Sequence, residues 1–314
     1  MPAGSHFPER TFSVASSQKS QISSEPKTVA QKLAHDGYAV VPDVLDGELL
    51  RSLRTMVEEE LSAQGCGHFD TFRHHGSMLP IDRARAEVVT LVGWPPLLDV
   101  LNDAGFSAPK WLSGYVISKP PHSPGLWWHQ DWWAWDEAVS FGPTPPQMFV
   151  MYYLTDTKPE NGCLRVIPGS HRARHGLHGH LPEAHSQSEG LRDLDGPAHL
   201  PHPDEVAVQV KAGDAVLGDV RVLHATYPNQ SDQRRTCLTL WYMPAFEELP
   251  AALKAYVVQH PALPPAGWWN DASIQVDPSL SGLLPVYDGD VSPASYNRVP
   301  PVSWSFERTA ATLR

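Results

Sequence analysis

The stretch WWHQDWWAW, residues 127–135, gathers five of the chain's 11 tryptophans around two ionisable groups, His129 and Asp131. A carboxylate among indole rings is costly unless something compensates it. On a strand, residues i and i+2 share a face, so this imidazole and this carboxylate are expected to aim at one point. Such a pair suits a divalent first-row metal, and the cation then supplies the compensating charge. Taken alone the H-x-D triplet is a weak signal, because most such triplets merely decorate a surface or core. Downstream, GDAVLGDVRVLHATYPNQSDQRRTCLTLWY predicts a strand ending near His224, a turn through YPNQSD and a second strand. His224, arriving from a separate strand, would complete a facial set of two histidines and one carboxylate. That arrangement leaves one side of the metal open and typifies non-haem Fe(II) oxygenases.

The elements that must position these residues are readable on either side. TVAQKLAHDGYAVVPDVL, residues 28–45, begins as an amphipathic helix, breaks at Asp36-Gly37 and continues as a strand through YAVVP. Asp46 is placed to cap a second helix in which Leu49, Leu50, Leu53, Met56, Val57 and Leu61 recur at helical spacing. A short helix is predicted after Pro95-Pro96. From about residue 110 the texture changes to short β-branched and aromatic runs, WLSGYVISKPP, MFVMYYLTDT, CLRVIPGS, VAVQVKAGDAVLGD and TCLTLWYMP, each bounded by turn residues. This pattern predicts an antiparallel barrel or two-sheet roll. The expected organisation is a leader over 1–28 without regular structure and one domain over 29–314. Within that domain we expect a helical part to about 105, a β-roll core over about 110–245 and a C-terminal extension over 246–314.

Composition narrows the partners. A net charge of −11 and the lack of a dense Lys/Arg stripe argue against nucleic acid. No run of apolar residues is long enough for a membrane span, and the polar, Ser-rich first residues contain no signal-peptide core. The three cysteines, Cys66, Cys163 and Cys237, form no metal or disulfide pattern, which fits a reducing, cytoplasmic compartment. Oligomeric state is left open.

Several motifs in order resemble the phytanoyl-CoA dioxygenase family of Fe(II)/2-oxoglutarate oxygenases. They are HDGYAVVPDVL, SKPPHS, His129-Gln130-Asp131, NGCLRVIPGSH over residues 161–171, Gly213-Asp214, and His224 followed by Asn229 and Arg235. Together they cover roughly residues 30 to 245. The resemblance implies a mainly β fold with flanking helices, built on a double-stranded β-helix, or jelly-roll, core of the cupin-like kind. It implies Fe(II) on His129, Asp131 and His224, with 2-oxoglutarate and O2 as cosubstrates and succinate and CO2 as products. Hydroxylation of a specialised small molecule is the expected outcome, with desaturation or cyclisation open. Asp131 retains the carboxylate that related halogenases vacate for chloride. The family places the arginine for the far carboxylate of 2-oxoglutarate at Arg235, and a planar guanidinium fork suits that task. Arg234, facing the other way on a strand, is the fallback. Thr226 and Gln130 match positions near the cosubstrate, and simple packing is an equal reading for both.

Trp133 and Trp135 share the parity of Asp131 and are expected to wall the substrate pocket if the strand continues, core filling being the opposing reading. Asn161-Gly162 reads as turn chemistry and His171 as structural. The cluster His175, His178, His180 and His185 reads as a solvated loop or lid rather than a zinc site. Histidines 74–75, 199 and 202 are read the same way, and Trp268-Trp269 as part of a second lid. Two other function classes share the barrel: a cupin-like metalloenzyme without 2-oxoglutarate, which has no need of Arg235, and a non-catalytic small-molecule binding roll.

Overall fold

The computed structural model describes residues 28–71, 76–82, 85–181, 195–259 and 278–306. Thr28 opens helix α1 (Val29–Asp36) with a reciprocal capping box to Gln31, and the helix ends at Gly37. Strand β1 (Tyr38–Val41) follows. The Asp46 carboxylate accepts the backbone N–H groups of Glu48 and Leu49 and caps α2 (Gly47–Ser62). The buried stripe of α2 comprises Leu49, Leu53, Met56, Val57 and Leu61, while Leu50 of the expected set is only partly buried. Helix α3 (Cys66–Thr71), strand β2 (Ser77–Pro80), and helices α4 (Ala86–Val92) and α5 (Pro95–Asp103) complete the N-terminal part. Strand β2 was not anticipated from the sequence.

The core strands are β3 (Lys110–Lys119), β4 (Met148–Tyr153), β5 (Leu164–Val166), β6 (Val206–Val208), β7 (Ala215–Asp219), β8 (His224–Thr226) and β9 (Arg235–Met243). They form two antiparallel sheets, six strands in the order β1-β7-β4-β9-β3-β2 and three in the order β6-β5-β8. Most strands adjacent in space are distant in sequence, as a cupin-like double-stranded β-helix requires; the β2–β3 and β5–β6 pairs are consecutive. Strands β4, β7 and β9 are buried at every position, because helices cover one face of the large sheet and the small sheet lies over the other.

The C-terminal extension enters this core. After helix α6 (Ala251–Val257), residues 295–306 pack along the roll. Arg174 donates to the carbonyls of Pro300 and Pro301, and its own N–H bonds the Trp304 carbonyl. The Trp304 ring stacks 5.0 Å from Trp135. Histidines 74–75 and 185, Trp268-Trp269 and the first 27 residues lie outside the described residues.

Candidate metal centre

His129, Asp131 and His224 come together as the sequence suggested, though by a different local structure. His224 begins strand β8 instead of ending a strand, and His129 faces it across a single antiparallel bridge with paired N–H···O bonds of 2.9 Å. Residues 130–135 are not a strand. Asp131 is placed by its own N–H, which donates to the Val220 carbonyl at 2.8 Å. The Asp131 carboxylate lies between the two imidazoles, 3.8 Å from Nε2 of His129 and 3.8 Å from Nε2 of His224. The ligand atoms of all three residues are within 4.8 Å of one another.

The outer ring nitrogens decide what these imidazoles can do. Nδ1 of His129 lies 3.0 Å from the Trp127 carbonyl, and Nδ1 of His224 lies 3.0 Å from the Val222 carbonyl. A carbonyl only accepts, so each Nδ1 is the donor, and in the neutral ring the lone pair is left on Nε2, on the side facing Asp131. This is the outer hydrogen bonding that metal-ligating histidines use. A second gathering, His175, His202 and Asp204, has the opposite electronics. There Nδ1 of His175 accepts the N–H of Leu177, and Nδ1 of His202 accepts the N–H of Asp204. Those lone pairs are spent on backbone, and the donor set does not suit a metal.

Around the centre, the ring of Phe149 on β4 stands 5.2 Å from that of His224. It can do so because its cross-strand partner is Gly218: a Cβ there would sit 2.0 Å from the Phe149 ring. Behind the ligands is a buried ion pair. Arg221 holds Asp219 at 2.6 Å through Nη2 and also donates to the carbonyls of Ser140, Gly142 and Thr144. The pair brackets Val220 and adjoins Val222, the two residues whose carbonyls orient Asp131 and His224.

Arg235 is buried on β9, paired in register with Lys119 on β3. Its Nη1 donates to the Cys237 sulfur at 3.3 Å, and its Nε has no protein acceptor. Arg234 points elsewhere, its guanidinium 4.9 Å from the Phe69 ring beside the N-terminal helices. Thr226 lies on β8, two residues beyond His224, and its hydroxyl accepts the Leu126 N–H at 3.1 Å. The Gln130 side chain is turned back on its own segment, Oε1 accepting the Trp132 N–H at 2.6 Å.

The parity argument for Trp133 and Trp135 does not hold, because residues 130–135 form no strand. Both rings lie in an aromatic core cluster. Trp133 donates to Gln147 and stacks 4.7 Å from Tyr256, while Trp135 is wedged between Phe141 and Trp304. Asn161 closes a turn through Lys158 N–H and the Asp156 carbonyl. His171 and His178 are buried, and burial lowers both to about 4, so they are neutral packing residues. Lys119 and the Asp219–Arg221 pair were missed. A lysine closing the apolar run WLSGYVIS and an Asp-x-Arg inside an apolar run were the available signals.

The chain matches the phytanoyl-CoA dioxygenase (PhyH) family over residues 33–237. Among curated proteins it is 26% identical over 232 residues to an L-proline trans-4-hydroxylase of Streptomyces griseoviridis, spanning 67% of this chain and 84% of the relative. It is also 26% identical over 212 residues to an ectoine dioxygenase of Nocardia farcinica, spanning 62% of this chain and 70% of that one. Among solved structures, the non-heme alpha ketoglutarate dependent epimerase SnoN from nogalamycin biosynthesis superimposes with a TM-score of 0.51 at 20% identity, over 87% of this chain and 96% of its own. HygX from Streptomyces hygroscopicus, solved with nickel and 2-oxoglutarate, gives 0.52 at 20% identity over 68% of this chain and 85% of its own. Both likenesses concern the fold.

Proposed function

Because the chain belongs to the phytanoyl-CoA dioxygenase family, and is therefore an Fe(II)- and 2-oxoglutarate-dependent dioxygenase acting on a small molecule, we propose that His129, Asp131 and His224 hold the iron. Arg235 anchors the far carboxylate of 2-oxoglutarate. The observation that carries this assignment is the shared geometry of the two histidines, each Nδ1 at 3.0 Å from a backbone carbonyl and each Nε2 turned to one carboxylate. Iron, when bound with 2-oxoglutarate and O2, supplies the oxidising chemistry that inserts oxygen into a C–H bond. The chain's own residues supply position. The carbonyls of Trp127 and Val222 hold the ligand rings, and the Val220 carbonyl holds the Asp131 backbone. Arg235, buried and without a carboxylate partner among the described residues, fixes the cosubstrate's orientation through its distal end. Thr226, two residues beyond His224 on β8, is assigned to the same cosubstrate site.

Hydroxylation is the reaction we assign, on a specialised small molecule such as an amino-acid derivative or a natural-product intermediate. The names of the proline hydroxylase and ectoine dioxygenase relatives support that class. Among the described residues no helix is long and apolar enough to cross a membrane. We assign the protein to the cytoplasm, with residues 29–314 acting as one catalytic domain and no nucleic-acid partner.

The test is incubation with Fe(II), ascorbate and 2-oxoglutarate, following succinate release, with cosubstrate affinity measured separately under anaerobic conditions. His129→Ala and Asp131→Ala are expected to lose tight Fe(II) binding, and Arg235→Ala to lose 2-oxoglutarate binding. Tight iron binding by the first two, or unchanged cosubstrate affinity in the third, sinks the assignment.

A further inference from the structure

The inner face of the large sheet, which carries Arg235, stays partly open where a closed core would be sealed. Cross-strand partners project to the same side, so the register sets Phe149 on β4 beside Trp241 on β9. One pleat along, Met151, Thr239 and Tyr115 stand abreast on β4, β9 and β3. Val116 and Ser118 on the opposite side of β3 are buried, whereas Tyr115 and Ile117 on the inner side are partly exposed. The opening reaches the metal centre, where the His129 and Asp131 side chains are 21% and 11% exposed and Phe149 stands against His224. Tyr115 and Trp241 meet edge to face, with ring centres 5.7 Å apart and planes at 85°. Among the described residues neither ring's polar atom has a partner: Trp241 Nε1 is buried without an acceptor, and the Tyr115 hydroxyl makes no hydrogen bond.

Charge is confined to one end of this face. Lys119 and Arg235 close the β3–β9 ladder, and the inward side chains from Ile117 to Ser113 and from Cys237 to Trp241 are uncharged. The small sheet opposes them with Leu164, Val166 and Thr226 beside His224. A charged substrate group laid on this surface would lose its hydration with no partner among the described residues. A free amino acid carries two such groups. A neutral ring system buries its apolar faces against the indole and the phenol, and one neutral oxygen on it satisfies their unpartnered hydrogen-bonding groups. We propose that Tyr115 and Trp241 form the substrate-recognition wall, and that the substrate is an uncharged, ring-bearing molecule with a hydroxyl or carbonyl group. The inference rests on the iron assignment above and narrows its substrate class to ring-bearing intermediates over free amino acids.

The test uses full-length protein loaded with Co(II) and 2-oxoglutarate under anaerobic conditions, with Zn(II)-loaded protein as the diamagnetic control. The probes are 2-naphthol, naphthalene, which lacks the hydroxyl, and L-proline as the zwitterion. Proton relaxation of each probe is followed by NMR, so that Co(II)-dependent enhancement reports binding beside the metal. Enhancement is expected for both ring probes and not for L-proline. Tyr115→Phe keeps the ring and removes the hydroxyl; it is expected to weaken 2-naphthol roughly threefold to tenfold and leave naphthalene unchanged, as loss of one hydrogen bond does. Trp241→Leu is expected to weaken both ring probes roughly fivefold or more. Both variants are expected to keep wild-type affinity for 2-oxoglutarate, which general damage to the fold would not spare, and Tyr115→Phe to unfold like wild type in urea. L-Proline binding as well as 2-naphthol, no Co(II)-dependent enhancement of 2-naphthol, or unchanged 2-naphthol affinity in both variants overturns the proposal while the iron assignment stands. If the wild type binds neither Co(II) nor 2-oxoglutarate, both fall.

Discussion

The Asp219–Arg221 pair offers the strongest test of how the metal ligands are held. Its side chains are 1% and 0% exposed, and Arg221 donates to both Asp219 oxygens and to three carbonyls of the 140–144 segment. Arg221→Met removes the charge and most donors while keeping an apolar stem. What remains is an unpaired buried carboxylate, and breaking a buried pair in this way costs about 3–5 kcal/mol. The Asp219→Asn/Arg221→Met double variant removes that unpaired charge and is expected to recover part of the loss, so the two changes are not additive. The effect reaches the site, because Val220 and Val222 flank Arg221 and their carbonyls orient Asp131 and His224. Metal affinity is therefore expected to fall by about 10–100-fold, as for loss of other outer hydrogen-bonding groups. Equilibrium unfolding in urea reads the first quantity, and competition with a metal-chelating dye reads the second. A loss under about 1 kcal/mol, strict additivity in the cycle, or unchanged metal affinity in a folded Arg221→Met protein would refute the reasoning.

Gly218→Ala places a Cβ 2.0 Å from the Phe149 ring, so the ring must move against His224; we expect about 1–3 kcal/mol of destabilisation and weaker metal binding, partly restored by adding Phe149→Leu, as measured by unfolding and metal titration. His171 and His178 are held neutral in the folded state to about pH 4, whereas the unfolded chain protonates them near 6.5. The unfolded state therefore binds more protons between these values, and stability falls as pH drops through that window, by up to about 3 kcal/mol per histidine. His178→Leu should flatten part of that slope in urea unfolding measured across the window. Because Nδ1 of His175 and of His202 accepts a backbone N–H, the His175→Ala/His202→Ala protein should bind the same number of metal ions per chain as wild type, by elemental analysis.

Local chemistry explains why much was legible in the residues alone. Thr28 and Asp46 announce helix starts through groups that satisfy their own backbone, and the alternation of apolar runs with Gly, Pro and Asn marks the roll. His129, Asp131 and His224 were legible because metal chemistry demands particular donor types in a particular order. The Arg235 position came from the resemblance to the family, with Arg234 as the fallback. Where reasoning assumed a regular strand, it failed. Parity linked Trp133 and Trp135 to Asp131, but the Gln130 side chain caps the Trp132 N–H and the chain turns away into the aromatic core.

Tertiary structure decided the rest, through pairings between residues far apart in the chain. Arg234 and Arg235 are equivalent in sequence, and only the register of β9 against β3 sends one toward Phe69 and the other inward beside Lys119. Lys119, 116 positions before its partner, gains its meaning from that register alone. The same holds for the histidines. Residue type makes each a possible ligand, but the carbonyl or N–H that meets Nδ1 decides which nitrogen is free. Those backbone groups are supplied by the folded chain, and they leave Nε2 as the nitrogen facing Asp131 in His129 and His224, whereas Nδ1 of His175 and of His202 accepts a backbone N–H.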